Sequence, residues 1–261
     1  MKFLNKGLLG LGLILIGLAL GLSLKAQSLG AEELVKEMDE LMRGESSYSQ
    51  MRMRIHNPDW SKPRELEMFA YEDKLQEKFF IRITAPARDR GTGFLKIGKN
   101  LWMFVPGTER VMKIPPSMMR ESWMGSDFTN DDLVRESSLV KDYIPKIITT
   151  EAHPEGGTIY QLELVPKPES AIIWRKILVW VWDRGYLPLR EQFFDEQNKP
   201  VNEIVFSQVK KMSGREIPTV WEMRSLTKPG HKTTLELLEI KFDLKIEPGI
   251  FTERNLKSRN W

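Results

Sequence analysis

Apolar and polar residues alternate with a period of two along most of the chain. In 49–55, Gln50, Arg52 and Arg54 interleave with Met51, Met53 and Ile55, the pattern of a strand with one face buried. Similar segments follow at 64–71, 78–84, 94–97, 101–105, 110–114, 143–152, 158–165, 175–182, 187–194, 201–210, 219–226 and 233–244. Between them stand turn residues such as Asn57-Pro58-Asp59, Pro106-Gly107-Thr108-Glu109, Pro154-Glu155-Gly156-Gly157 and Lys228-Pro229-Gly230, each suited to reversing the chain. One segment has a different period. Residues 31–42 place Leu34, Val35, Met38, Leu41 and Met42 at helical spacing, with Glu32, Glu33, Glu37, Asp39 and Glu40 on the remaining surface and Gly44 as a stop. The prediction is a mainly β, antiparallel sandwich or barrel with an amphipathic helix covering a sheet. No linker or fixed-length repeat divides residues 27–261, so a single domain is expected.

The most informative stretch is 93–133. Its middle strand, 101–105, is apolar on both faces: Trp102 and Phe104 point one way, Leu101, Met103 and Val105 the other. Something must therefore cover each face. Pro115-Pro116 ends the strands, and the chain turns to Met118, Met119, Trp123 and Met124, then Gly125-Ser126-Asp127-Phe128 and Asp131-Asp132-Leu133. Methionine side chains are flexible and polarisable, so such a flap suits either an irregular core or a surface that repacks around an apolar guest. Asp127 or Thr129 is placed to open a short helix with Asp131 and Asp132 in its first turn.

The N-terminus departs from the rest. Lys2 and Lys6 precede an uncharged apolar run at 8–24, the make-up of an export signal. Cleavage is expected after Ala26; the alternative is retention as an N-terminal anchor in the inner membrane. The net charge of +3 belongs to this leader, because removing Lys2, Lys6 and Lys25 leaves basic and acidic residues equal, 36 each. A neutral mature chain has no electrostatic footprint for nucleic acid. The chain has no cysteine, which excludes a lipoprotein's own lipid-bearing cysteine and any disulfide.

Candidate catalytic chemistry is sparse. His56, His153 and His231 each adjoin a turn, there is no Gly-x-Ser-x-Gly or dinucleotide-binding glycine pattern, and Asp127, Asp131 and Asp132 lack calcium-loop spacing. No enzyme, cofactor or metal centre is expected.

The combination of Gly93-Phe94-Leu95-Lys96, Leu101 to Pro106, Arg110, Trp123-Met124-Gly125-Ser126-Asp127-Phe128 and Asp132-Leu133, with Ile217 to Met223 and Phe251 to Leu256 later on, resembles the bacterial outer-membrane lipoprotein-sorting proteins of the LolA-like superfamily. That resemblance implies an unclosed antiparallel β half-barrel of about eleven strands with helices covering its concave face. It further implies a periplasmic, non-catalytic carrier of lipid or lipoprotein acyl chains, expected to be a monomer and to work with an inner-membrane lipid or lipoprotein exporter. A non-carrying module that only docks such an exporter is the alternative. On this reading the lid is 116–133 together with helix 31–42. The lipid-contacting candidates are Phe94, Trp102, Phe104, Met118, Met119, Trp123, Met124, Phe128 and Leu133, and Gly125 to Phe128 is the family motif. Better-studied carriers latch the lid with a strand arginine, for which Arg110 and Arg120 are the candidates here.

Overall fold

The computed structural model describes residues 29–134, 139–168, 170 and 174–258; the leader at 1–26 lies outside them. Helix α1 (Ala31–Arg43) precedes six strands: β1 (Ser46–His56), β2 (Arg64–Asp73), β3 (Lys78–Ala85), β4 (Gly93–Ile97), β5 (Asn100–Val105) and β6 (Arg110–Ile114). Seven more follow a long crossing segment: β7 (Tyr143–Ala152), β8 (Thr158–Pro166), β9 (Lys176–Trp182), β10 (Leu187–Phe194), β11 (Pro200–Met212), β12 (Arg215–Ser225) and β13 (Lys232–Phe242). Short helices α2 (Asn130–Val134) and α3 (Leu139–Asp142) lie in the crossing segment, and α4 (Glu253–Lys257) near the C-terminus.

All the strands form one antiparallel, unclosed sheet with the order β6-β5-β4-β3-β2-β1-β13-β12-β11-β10-β9-β8-β7. This is the LolA-like half-barrel, with 13 strands instead of the eleven or so the family resemblance implies. The first six strands step outward from the middle in chain order, and the last seven step back from the far edge until β13 pairs with β1. Residues 115–142 must therefore carry the chain from one edge of the sheet to the other. Topology alone lays this segment across a face of the sheet. Register shifts at Gln50/Met51, Glu67/Met68 and Ile147/Thr149 are bulges of the kind that bend and twist a sheet.

Strand β12 begins at Arg215, ahead of the predicted 219, and contains Pro218. Pro218 is opposite Val209 of β11, but the β12–β13 ladder spans only Val220 to Arg224. The proline therefore sits where one side of the strand has no partner, a position that tolerates a missing N–H.

The two faces carry separate cores. The inner one joins Leu34, Val35 and Met38 of α1, Met119, Trp123 and Phe128 of the crossing segment, and strand residues such as Met53, Ile81 and Val179. The outer one is smaller: Phe80, Leu95 and Phe104 against Phe251 and Leu256 of the C-terminal tail. Arg82, wholly buried, ties the tail down by donating to the carbonyls of Gly91 and Asn255, both at 2.7 Å. Desolvation lowers its pKa to about 10. Gly93 gives α4 its room, since a Cβ there would come within 2.9 Å of Leu256 Cδ1.

Helix α1 runs one residue beyond the predicted end and closes on Gly44, at φ 63, whose amide donates to Glu40 O. Its acidic face is not wholly on the surface, as the pattern suggests. Asp39 is buried, facing inward among the apolar residues.

Candidate functional site

Between the inner face, α1 and the crossing segment lies a cavity of about 150 Å3. Its apolar lining comes from Met38 and Met42 of α1, Met51 of β1, Leu235 and Leu237 of β13, and Phe128 of the crossing segment. Of the methionines among the described residues, all but Met112 and Met118 belong to the inner core, and none to the outer cluster. Three of these deformable side chains, Met38, Met42 and Met51, line the cavity.

The end of the cavity beside the C-terminus of α1 is charged. Asp39 binds Lys74 Nζ at 2.7 Å and Arg43 Nη1 at 3.3 Å, and Arg43 also pairs with Glu72. Burial acts to lower the Arg43 pKa, but the carboxylates of Glu72 and Asp39 outweigh it and hold the value above normal. A buried charge is tolerated only when paired in this way. Trp174 also lines the cavity, and its indole Nε1 is buried with no hydrogen-bond acceptor among the described residues. Among those residues no three His, Cys, Asp or Glu side chains are grouped to hold a metal.

The crossing segment, which the sequence reading takes as a lid, has its own internal bonding. Trp123 N donates to Phe128 O at 2.8 Å, Asn130 N to Glu121 O at 3.0 Å and Asp131 N to Met119 O at 3.1 Å. Thr129 caps α2 reciprocally: Asp132 N donates to its hydroxyl at 3.1 Å, and Thr129 N donates to Asp132 Oδ2 at 2.8 Å. This is a capping box, with aspartate in the third helical position. Of the two predicted openers, Thr129 performs the task and Asp127 is freed for another.

The Gly125-Ser126-Asp127-Phe128 block forms the sharpest part of the lid. Met124 and Gly125 both have positive φ, 53 and 79°, a region that glycine enters without strain. Ser126 Oγ accepts from Phe128 N at 3.2 Å. Asp127 fastens the lid to the sheet: its amide donates to Thr233 Oγ1 at 2.9 Å, and that hydroxyl donates to Asp127 Oδ2 at 2.7 Å. Phe128 then enters the cavity wall.

A second fastening comes from Arg64, the first residue of β2. It donates to the carbonyl of Met124 at 2.8 Å and pairs with Asp89 at 2.9 Å. Arg64 is thus a strand arginine hydrogen-bonded to the crossing segment; the two arginines considered for that contact from the sequence lie elsewhere. Arg110 is exposed on the edge strand β6, and Arg120 makes an exposed pair with Glu196.

Phe94, Met119, Trp123, Met124 and Phe128 converge in the inner core, with the Phe94 and Trp123 ring centroids 5.2 Å apart. Of the predicted residues whose side chains are described, only Phe128 lines the cavity itself. Met118 is exposed. The backbone of Leu133 is in α2, and its side chain lies outside the described residues. Trp102 and Phe104 are on the outer face, Phe104 buried beneath the tail and Trp102 packed beside it, so they do not form a wall of this cavity. Strand alternation puts Leu101 and Met103 inward instead. Sequence reasoning missed Met51, Leu235 and Leu237 as lining residues, although their alternation is plain. It also missed Thr233, whose link to Asp127 spans 106 residues and leaves no local trace.

A family model described as "Uncharacterized protein" matches residues 75–258. The chain belongs to that family. Several solved structures share its fold. A DUF1329 family protein from Desulfovibrio piger has a TM-score of 0.77 at 23% identity, covering 87% of this chain and 97% of its own. A domain named for outer membrane lipoprotein sorting, from Vibrio parahaemolyticus, has a TM-score of 0.75 at 20% identity, with coverages of 87% and 98%. A LolA superfamily protein from Nitrosomonas europaea has a TM-score of 0.74 at 22% identity, with coverages of 87% and 100%. No curated protein matches the chain significantly.

Proposed function

We propose that this protein is a periplasmic carrier that binds the acyl chains of lipids or lipoproteins beneath its lid and moves them toward the outer membrane. The supporting observation is the apolar cavity closed by a lid that is held to the sheet by a few polar contacts. A cavity of about 150 Å3 is the size of one that takes up benzene, so the described conformation is the closed one. Admitting a fatty chain requires Phe128 and the lid methionines to repack.

The energetics favour such a device. Each methylene moved out of water contributes about 0.8 kcal/mol, so sheltering a sixteen-carbon chain is worth on the order of 12 kcal/mol. That gain stands against the three bonds that fasten the lid to the sheet, each roughly 1–3 kcal/mol, and the apolar surface of Trp123 and Phe128 that opening uncovers. Opening is therefore driven by cargo, and the lid closes again once the cargo leaves. The buried Trp174 Nε1 is a donor in wait for the carbonyl of an acyl ester or amide. Cargo is received from an inner-membrane lipid or lipoprotein exporter, and no step of the cycle requires catalysis.

Native mass spectrometry of protein isolated without detergent tests this directly. A bound species of lipid mass, released on collisional activation, is the expected result. Protein that is repeatedly lipid-free, and that takes up no fluorescent fatty acid, would overturn the reading.

A further inference from the structure

The rim at which Arg64 latches the lid has a character of its own. The β1–β2 turn and the β3–β4 loop enclose an open groove lined by Trp60, Lys62, Arg64, Glu65, Pro86 and Arg88. An Asx turn holds Trp60 outward: Asp59 N donates to Asn57 Oδ1 at 2.9 Å and Trp60 N to Asn57 O at 3.0 Å. The β12–β13 turn abuts the same rim, since a Cβ on Gly230 would come within 2.7 Å of Pro58 Cγ. That neighbouring turn also carries Leu226 and Lys228. Trp60 is 39% exposed and Leu226 42%, so two large apolar side chains stand out among cations.

The rim carries Lys62, Arg64, Arg88 and Lys228 against Asp59, Glu65 and Asp89, a small excess of cations in a mature chain that is neutral overall. Glu65 is held by Arg54 at 2.8 Å, and Asp89 is shared between Arg64 and Arg88. Neither Lys62 nor Lys228 makes an ion pair among the described residues. Exposed tryptophan beside lysine and arginine is the composition that settles at a bilayer surface, the ring at headgroup level and the cations on anionic lipid. Arg64 links this rim to the lid. Its guanidinium supports Met124, while its Nε is buried without an acceptor among the described residues.

We propose that the rim bearing Trp60, Lys62, Arg88, Leu226 and Lys228 docks on an anionic bilayer, and that a headgroup phosphate entering the groove draws Arg64 away from Met124. Docking and unlatching are then one event, and the lid opens where cargo is exchanged. A phosphate takes two parallel bonds from a guanidinium, and here it competes with the neutral carbonyl of Met124 and with Asp89, a carboxylate already shared with Arg88. The inference rests on the carrier reading for the meaning of the lid, but docking itself does not.

The test uses leaderless protein, so that the apolar run does not itself anchor vesicles. Co-sedimentation with phosphatidylglycerol–phosphatidylcholine vesicles is compared with phosphatidylcholine alone, and hydrogen exchange is followed over 116–134. Binding should require phosphatidylglycerol and weaken with salt. Lys62→Glu and Lys228→Glu, on exposed side chains that leave the fold intact by circular dichroism, should each weaken it by more than the roughly fivefold that losing one cation costs. Trp60→Ala should weaken it too. Lid exchange should rise on these vesicles and stay unchanged with phosphatidylcholine vesicles or inorganic phosphate. Equal binding to both vesicle types, no binding, or full binding by the lysine variants would overturn the proposal and leave the rim to a protein partner. Lid exchange that responds to inorganic phosphate alone would reassign the groove to a free anion. Fatty-acid uptake in solution is scored separately: uptake without docking sinks this inference alone.

Discussion

Replacing Thr233 by valine isolates the lid from the sheet with the least disturbance of shape. Thr233 is fully buried in β13, and its hydroxyl both accepts from Asp127 N at 2.9 Å and donates to Asp127 Oδ2 at 2.7 Å. Valine keeps the volume and removes both bonds. A hydrogen bond to a charged group is worth about 1.5–3 kcal/mol, and the amide left behind must find water. Taking about 2 kcal/mol, the closed lid is disfavoured roughly thirtyfold, since 1.4 kcal/mol is a factor of ten. Hydrogen exchange with peptide resolution reads this out. Amides of the lid, such as those of Asn130 and Asp131 bonded within it, should exchange roughly thirty times faster if they open as a local unit. Peptides from β3 and β9, which hold the buried Ile81, Ile83 and Val179, should keep their rates. Equal acceleration of lid and sheet would refute the idea of a separable lid, and an unchanged lid would refute the latch.

Further outcomes follow from the division between faces. Phe104→Ala removes a ring buried under the tail and should cost about 3–5 kcal/mol in chemical denaturation while leaving lipid affinity unchanged. Phe128→Ala should instead enlarge the cavity, and uptake of fluorescent fatty acid should become tighter or faster. Trp174→Phe keeps the apolar surface but removes the unpaired indole donor. It should speed release of ester-bearing lipids severalfold without altering that of plain hydrocarbons. Gly125→Ala places a side chain at φ 79 and should destabilise the lid by about 1 kcal/mol, seen as faster exchange confined to 116–134.

Much of the fold was legible because alternation is a direct image of a sheet with two environments. Met51, Met53 and Ile55 are buried as their spacing requires, and so are Ile177, Val179 and Val181. Which face looks inward was not legible where both faces are apolar. In β5 the parity of Trp102 and Phe104 was settled by the C-terminal tail, more than a hundred residues away, which covers their side. Asp39 looked like part of a solvated helical face, yet Lys74 and Arg43 pull it into the interior. The latches were hidden for a related reason. Arg64 is one of many arginines, and only the crossover of 115–142 above the sheet brings Met124 to it.

The most direct test of the carrier account is methionine-methyl NMR with a spin-labelled fatty acid. Met38, Met42 and Met51 line the cavity, whereas Met112 and Met118 are exposed. The account predicts that the label broadens the first three resonances strongly at stoichiometric ligand and spares Met112. Sharp signals from Met38, Met42 and Met51, with broadening confined to Met112 and Met118, would place the chain on the surface and contradict it.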